Sequence, residues 1–454
     1  MKTVKIKKLT LTNFRFFLED NNSFKFDSEN ILIYGENGSG KSSIFKAFEL
    51  LAKISKDDIE KEFKESKNIF NLDKDSSIEF EFDNEDILDI NDDHLENDLS
   101  FIDNFYLVNP LLDYKKLLYV NFTTNLEYEK INLFPMLSKI FENYPIDIKK
   151  DILLKDIENP SDRLESLKTI INTLFDDINL FLEKFTSEFK IEQFDYTTGY
   201  IPLAKNLGLN NVLEFIINIE INFKNRTITK HHEFLNEARL SALAISIYFA
   251  IIKHLSSLSK DESLKILVLD DLLISLDMSN RLSLIPILKE NFKDFQIIFL
   301  THDRELFEVF KDRLNWKGFE IYVDENNDYE KPILKTSNSY IDKATIHFRD
   351  KNYDCCANLL RKSTEGLLNK LLPKEKRFSK TCEKLQLNDL LQNAINYVEN
   401  NEDKELIKNI QSFTKTIFNP QSHNDNRAIY KSELQSAIKS LKELRDRVEN
   451  ETIE

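Results

Sequence analysis

The chain is poor in glycine, cysteine, methionine and tryptophan: its 454 residues include seven glycines, three cysteines, three methionines and one tryptophan. Cys355, Cys356 and Cys382 cannot build a disulfide framework, and their spacing among seven scattered histidines gives no zinc-ligand pattern. They read as metal-free thiols of a reducing compartment. The basic start "MKTVKIKKLTLTNF" lacks the apolar region of a signal peptide, and no later stretch keeps about 18 uninterrupted apolar residues. A cytoplasmic protein with no membrane contact is the expectation. Positive charge is also in deficit, with 62 Lys and Arg against 78 Asp and Glu and a net charge of -16. That balance argues against wholesale wrapping of DNA or RNA and leaves room only for a local basic groove.

What is present suffices for a sizeable core, since 41% of the residues are hydrophobic and 31% charged, a composition of two or three folded domains. "VKIKKLTLTNF" and "FKF" alternate as strands do, and "NILIYGENGSGKSSIFKAFELLAKI" runs from a strand through a glycine-rich turn into a helix. The acidic stretch from Ser55 to Ser100 carries one strand candidate, "SIEFEF" at Ser77 to Phe82, expected in a peripheral sheet. Leu164, Leu167, Ile171, Leu174, Ile178 and Phe181 repeat at helical spacing and predict a helix hairpin. Leu213, Phe215, Ile217, Ile219, Ile221 and Phe223 alternate, predicting a strand that re-enters the first domain. "LKILVLDD" and "FQIIFLTHD" read as buried parallel strands whose carboxyl ends carry chemistry, joined through a crossover helix in "RLSLIPILKENF".

The stretch Gly35, Glu36, Asn37, Gly38, Ser39, Gly40, Lys41, Ser42 matches G-x-x-x-x-G-K-S between a strand and a helix, with Ser43 continuing into the helix. Its amides and the helix terminus suit phosphates, Lys41 reaches the β and γ phosphates, and Ser42 ligates Mg2+. ATP or GTP is the implied ligand. Asp270 and Asp271 end a buried strand, so Asp270 suits the metal shell while Asp271 orients or deprotonates water. His302, at the end of the next strand, suits a γ-phosphate or water contact.

Together the phosphate loop, "LVLDDLLISLD" and "FLTHD" resemble the ABC ATPases of the RecF/SMC/Rad50 class. The resemblance implies an α/β P-loop NTPase domain of the ABC ATPase type that dimerises head to tail around ATP and Mg2+. It also implies an interface role for Asp277 in "SLD" and a phosphate approach for Arg15 in "TNFR". Aspartate rather than glutamate follows the first strand-end carboxylate, as in RecF-like members, which points to slow switching. "PLLDYKKLLYVNF" holds no glutamine for the family's glutamine loop, leaving that contact unassigned. "LNEARLSAL" resembles the family signature, with Asn236 where serine is usual and Ala238 where glycine is usual; this helix start is expected to meet the partner's γ-phosphate.

The expected organisation is residues 1–109 and 200–335 as the two parts of the ATPase domain, 110–199 as a short helical insertion, and 336–454 as an all-helical C-terminal domain. "FLNEARLSALA", "DDLLISLDMSNR" and "LTHDRELFE" resemble, more narrowly, ATPases of bacterial phage-defence systems and the ATPase part of anticodon nucleases. That resemblance implies a sensor or scaffold controlling an effector protein, with DNA repair by a RecF/SMC-like ATPase as the alternative. In the tail, Arg361, Glu365 and His423 resemble the arrangement of HEPN helical nuclease domains, implying metal-independent RNA cleavage as a further alternative. An exposed i,i+4 ion pair of Arg361 and Glu365, with His423 capping a loop, is the simpler account of these residues. Tyr430, Leu434, Ala437, Ile438, Leu441, Leu444 and Val448 form an apolar stripe that either closes the helical domain or meets another subunit of a dimer or higher oligomer.

Overall fold

The computed structural model describes residues 2–18, 22–54, 59–96, 99–121, 131–147, 152–201, 212–258, 262–273, 276, 278–314, 316–324, 329–337, 339–378, 384–418 and 430–449. They form two compact units, Met1–Thr336 and Ser337–Glu454.

In the first unit β1 (Lys2–Val4), β2 (Ile6–Thr12) and β3 (Asn22–Lys25) precede β4 (Ile31–Gly35), which runs into the phosphate loop and α1 (Lys41–Lys53). Then come α2 (Glu60–Lys64), β5 (Ser77–Phe82), β6 (Ile87–Asn91), α3 (Asp103–Val108), β7 (Leu111–Asp113), α4 (Tyr114–Asn121) and α5 (Phe134–Ile140). A small pair, β8 (Pro145–Asp147) and β9 (Ile152–Leu153), leads to α6 (Pro160–Phe185). The chain continues through β10 (Phe189–Ile201), β11 (Val212–Phe223), β12 (Arg226–Ile228), α7 (His231–Phe234) and α8 (Glu237–Ser257). It ends with β13 (Glu262–Leu264), β14 (Ile266–Asp270), α9 (Met278–Asn291), β15 (Gln296–Thr301), α10 (Arg304–Leu314), β16 (Lys317–Asp324) and β17 (Lys331–Ser337).

The central sheet has the order β17-β16-β4-β15-β14-β7, and β16, β4, β15, β14 and β7 are parallel. Its strands are continuous apolar runs because both faces are covered. Ile33, Val268 and Ile298 enter one core with α1 and the antiparallel sheet β3-β2-β5-β6. Leu32, Leu269 and Phe299 enter a second core with α6, α8, α9 and α10. Gln296 ties the sheets together: its side chain accepts from the Ile6 N–H at 2.8 Å and donates to the carbonyls of Ile6 and Glu29 at 2.8 and 2.9 Å.

Two sequence expectations change. The helical stripe from Leu164 to Phe181 lies on one 26-residue helix, α6, followed by a β-hairpin rather than a second helix. The alternating strand β11 pairs antiparallel with β10 and β12 in a separate three-stranded sheet and does not join the central one. Alternation marks a strand, but the choice of partner lies with the chain on either side of it. Among the described helices α8 alone is long and apolar enough to cross a membrane, and 83% of that stretch is buried in the unit's own core.

The second unit is helical: α11 (Tyr340–Arg349), α12 (Tyr353–Leu371), α13 (Leu387–Tyr397), α14 (Asn401–Phe413) and α15 (Lys431–Glu449). The stripe on α15 faces inward, with Leu434, Ala437, Leu441 and Leu444 fully buried against α12 and α14 and only Tyr430 strongly exposed. It closes this unit rather than offering a face to another subunit.

Candidate functional site

The phosphate loop is shaped by close approaches that exclude side chains. A Cβ on Gly35 would stand 2.3 Å from Ser39 Oγ, and one on Gly40 would stand 2.8 Å from the Phe16 ring. Gly38 and Gly40 have φ of 84° and 102°, torsions that glycine adopts at no steric cost. Gly40 caps α1 on the N-terminal side, so the first amides of that helix lack carbonyl partners four residues back. Glu36, Asn37, Gly38 and Ser42 are exposed, whereas Ser39, Lys41 and Ser43 are buried. Lys41 folds across its own loop, donating from Nζ to the Gly35 carbonyl at 2.6 Å and the Glu36 carbonyl at 3.2 Å. Burial lowers its pKa, against the pull of Asp271 and Asp270.

The parallel strands bring the acidic groups to the same end of the sheet. Asp270 closes β14 opposite Asp113 of β7 and Leu300 of β15. Burial, then the Asp271 charge, pushes the Asp270 carboxyl up to about 7, while Lys41 pulls it down. Asp271 stands at φ 48° with its N–H donating to the Leu300 carbonyl at 3.0 Å. That torsion directs Oδ1 to His302, accepting from its backbone N–H at 2.9 Å and lying 2.8 Å from its Nδ1. With Nδ1 turned toward Asp271, Nε2 is the ring nitrogen left to face a phosphoryl oxygen or a water. The two catalytic residues expected separately from the sequence therefore form one unit.

Arg15 sits in a tight turn, φ 48°, its N–H donating to Ser66 and its carbonyl accepting from Asn68 Nδ2 at 2.6 Å. The adjoining Phe16 covers Gly40, and its N–H donates to Ser43 Oγ at 3.3 Å, so the turn is fastened to the phosphate loop. Asn236 caps α8, its Oδ1 accepting from the Arg239 N–H at 3.0 Å, which leaves only its NH2 group for a ligand. Ala238 packs partly against the core, so the methyl that replaces the expected glycine hydrogen has an inward role. Asp277 and His423 lie outside the described residues. Arg361 and Glu365 pair with each other, Nε to Oε1 at 3.2 Å, one turn apart on α12.

Sequence reading missed three contributors. Asp113 becomes visible only once β7 pairs with β14; its "LLD" resembles many short apolar runs. Phe16 acts through a fold that returns it to Gly40. Arg281 of α9 reaches Asp303 and donates from Nε to the Leu276 carbonyl at 2.7 Å, fastening Leu276 to the helix.

The model of the RecF/RecN/SMC N-terminal domain matches residues 5–317. The chain belongs to this family. Its first unit is thus a P-loop ATPase module of the SMC/RecF/RecN type, followed by the helical unit. No curated protein matches the chain. Among solved structures, an Smc head bound to the C-terminal winged-helix domain of ScpA shares 14% identity, with 74% of this chain and 99% of that one covered and a TM-score of 0.39. A Pyrococcus furiosus Smc head with an extended coiled coil, bound to the C-terminal domain of ScpA, shares 16% over 77% and 100%, with a TM-score of 0.38. The SMC head domain of Thermotoga maritima shares 14% over 72% and 98%, with a TM-score of 0.33.

Family membership implies ATP and Mg2+, and the residues present fit them. Among the described residues Ser39 Oγ and Asp270 Oδ1 are buried without hydrogen-bond partners, and Lys41 donates to carbonyls of its own loop. Gly35 to Ser43 would hold the phosphates, and Ser42 with Asp270 the metal. Bound Mg2+ supplies charge neutralisation on the phosphate oxygens. The helix-terminus amides and Lys41 would bind the phosphates, and Asp271 with His302 would orient water and hold its proton.

Proposed function

We propose that the protein is an ATP-hydrolysing switch of the RecF/SMC class that closes as a homodimer around ATP and works in DNA maintenance. The hydrogen-bonded Asp271–His302 pair beside Lys41 carries the hydrolytic part of this reading. The dimer is supported by the placement of the signature residues. The start of α8 lies against the β10-β11-β12 sheet, with Arg239 paired to Glu188 and its guanidinium 5.6 Å from the Phe223 ring centre. The phosphate loop follows β4 and is fastened to the Phe16 turn, and the family resemblance expects Asn236 and Ala238 to meet the phosphates of a second copy. Phosphate release by wild type and Asp271→Asn, with solution mass measured with and without ATP and Mg2+, tests both parts. Equal release rates sink the catalytic assignment; a monomer in ATP-loaded Asp271→Asn sinks the switch.

The family match extends over the whole class and so favours the DNA-maintenance reading above a phage-defence sensor, which rests on the three narrower segments alone. Cleavage by Arg361, Glu365 and His423 is the remaining reading for the tail. Incubating ATP-loaded protein with structured RNA tests it, and intact RNA counts against it.

A further inference from the structure

Three residues stand level across neighbouring strands of the central sheet: Thr301 of β15 is opposite Tyr34 of β4, and Tyr34 is opposite Glu320 of β16. His302 follows Thr301 and Gly35 follows Tyr34, so this row is the ledge beneath the histidine and the phosphate loop. Glu320 is 5% exposed, and a carboxylate so deeply buried needs a fixed cation. Arg304 supplies it, from the first turn of α10 and two residues beyond His302.

We propose that Arg304 is a positioning residue for ATP hydrolysis that holds the His302 segment against the strand leading into the phosphate loop, a role that rests on Asp271 and His302 acting as proposed above. Its side chain reaches back across β4. Nη1 donates to Glu320 Oε2 at 2.8 Å and to the Tyr322 hydroxyl at 3.2 Å, and that hydroxyl donates to the same carboxylate oxygen at 2.5 Å. The guanidinium carbon lies 4.9 Å from the Tyr34 ring centre and 5.4 Å from that of Phe307. One planar cation thereby joins α10, β4 and β16. Those contacts need a hydrogen-bonding fork and a flat face together, which a lysine does not offer. The pair with Glu308, one turn along α10, is more exposed and adds little.

The residue between His302 and Arg304 is anchored as well. Asp303 pairs with Arg281 of α9 and caps α10, its Oδ1 accepting from the Leu306 N–H at 3.0 Å. Of these two anchors, Arg304 is the one that touches β4. Without it the imidazole keeps its bond to Asp271 but loses its fixed distance to the phosphates, and a misplacement of about 1 Å costs about a hundredfold in rate.

The test uses the full chain with ATP and Mg2+, measuring phosphate release across ATP concentrations together with fluorescent-nucleotide affinity and thermal unfolding. Arg304→Ala is expected to lower kcat about tenfold to a hundredfold while KM and nucleotide affinity move by less than about threefold. Added to His302→Ala, it is expected to cost no further rate, because the anchor has nothing left to hold. A merely structural lesion would instead multiply the two losses. Should Arg304→Ala fail to fold, Arg304→Lys keeps the charge beside Glu320 while losing the fork; its kcat is expected below that of wild type, with the same absence of further loss beside His302→Ala. Wild-type rates in the folded Arg304 variant, a loss confined to KM, or multiplied losses in the double variant would each overturn the proposal. Unimpaired hydrolysis by His302→Ala removes the catalytic reading and this role with it, whereas slow His302→Ala beside a normal Arg304 variant removes this role alone.

Discussion

Oδ1 of Asp271 receives two hydrogen bonds from one residue, His302, through its backbone N–H and its ring Nδ1, at 2.9 and 2.8 Å. One carboxylate oxygen therefore orients the imidazole, leaving the other oxygen for water. Asp271→Asn keeps an acceptor for His302 and removes the charge. Phosphate release is expected to fall about a hundredfold or more, with fluorescent-nucleotide affinity retained. His302→Ala should show the same separation of hydrolysis from binding.

Gly40 is constrained twice, by its φ of 102° and by the Phe16 ring. Gly40→Ala is expected to destabilise the first unit by about 1–3 kcal/mol from backbone strain, plus the clash, and to abolish nucleotide binding. Adding Phe16→Ala should recover the clash but not the strain. Calorimetry of the single and double variants measures the two parts separately; full recovery of stability would contradict the strain argument.

Asn236 joins two roles that substitution can divide. Asn236→Asp preserves the cap on α8 and places a negative charge where the partner's phosphates are expected, so stability should hold while the ATP-dependent dimer disappears. Asn236→Ala should cost about 1 kcal/mol by losing the cap. A dimer that survives in Asn236→Asp, in an Asp271→Asn background, would remove the signature helix from the interface.

His231 is fully buried between two carbonyls, with Nδ1 3.3 Å from that of Ile219 and Nε2 3.3 Å from that of Val120. Burial pushes its pKa down to about 4, against the pull of those carbonyls. The unfolded chain, at the ordinary value of 6.5, binds the proton first as pH falls. Its contribution is complete above pH 6.5 and is lost as pH falls toward 4, a swing of about 3 kcal/mol. Urea unfolding at stepped pH should show His231→Gln flatter than wild type across this window; parallel curves would refute the assignment.

Much of the nucleotide site was legible because its signals are local. Gly35 to Ser42 bends one short segment, and the runs ending at Asp270 and Thr301 are covered on both faces and hence apolar throughout. The α15 stripe was equally plain, yet periodicity records only that a face is buried, not what buries it. β11 was recognisable as a strand, while its membership of a separate sheet was not, because alternation carries no information about which strand lies alongside.

The amino-acid sequence by itself determined a phosphate loop, two strand-end acidic groups and a helical tail, since backbone torsion and side-chain period act over a few residues. Tertiary structure alone decided that Asp271 holds His302, that Asp113 stands opposite Asp270, and that Phe16 seals Gly40. Those relations join segments far apart in the chain, and they exist only where parallel strands end together and a returning turn is packed against the loop.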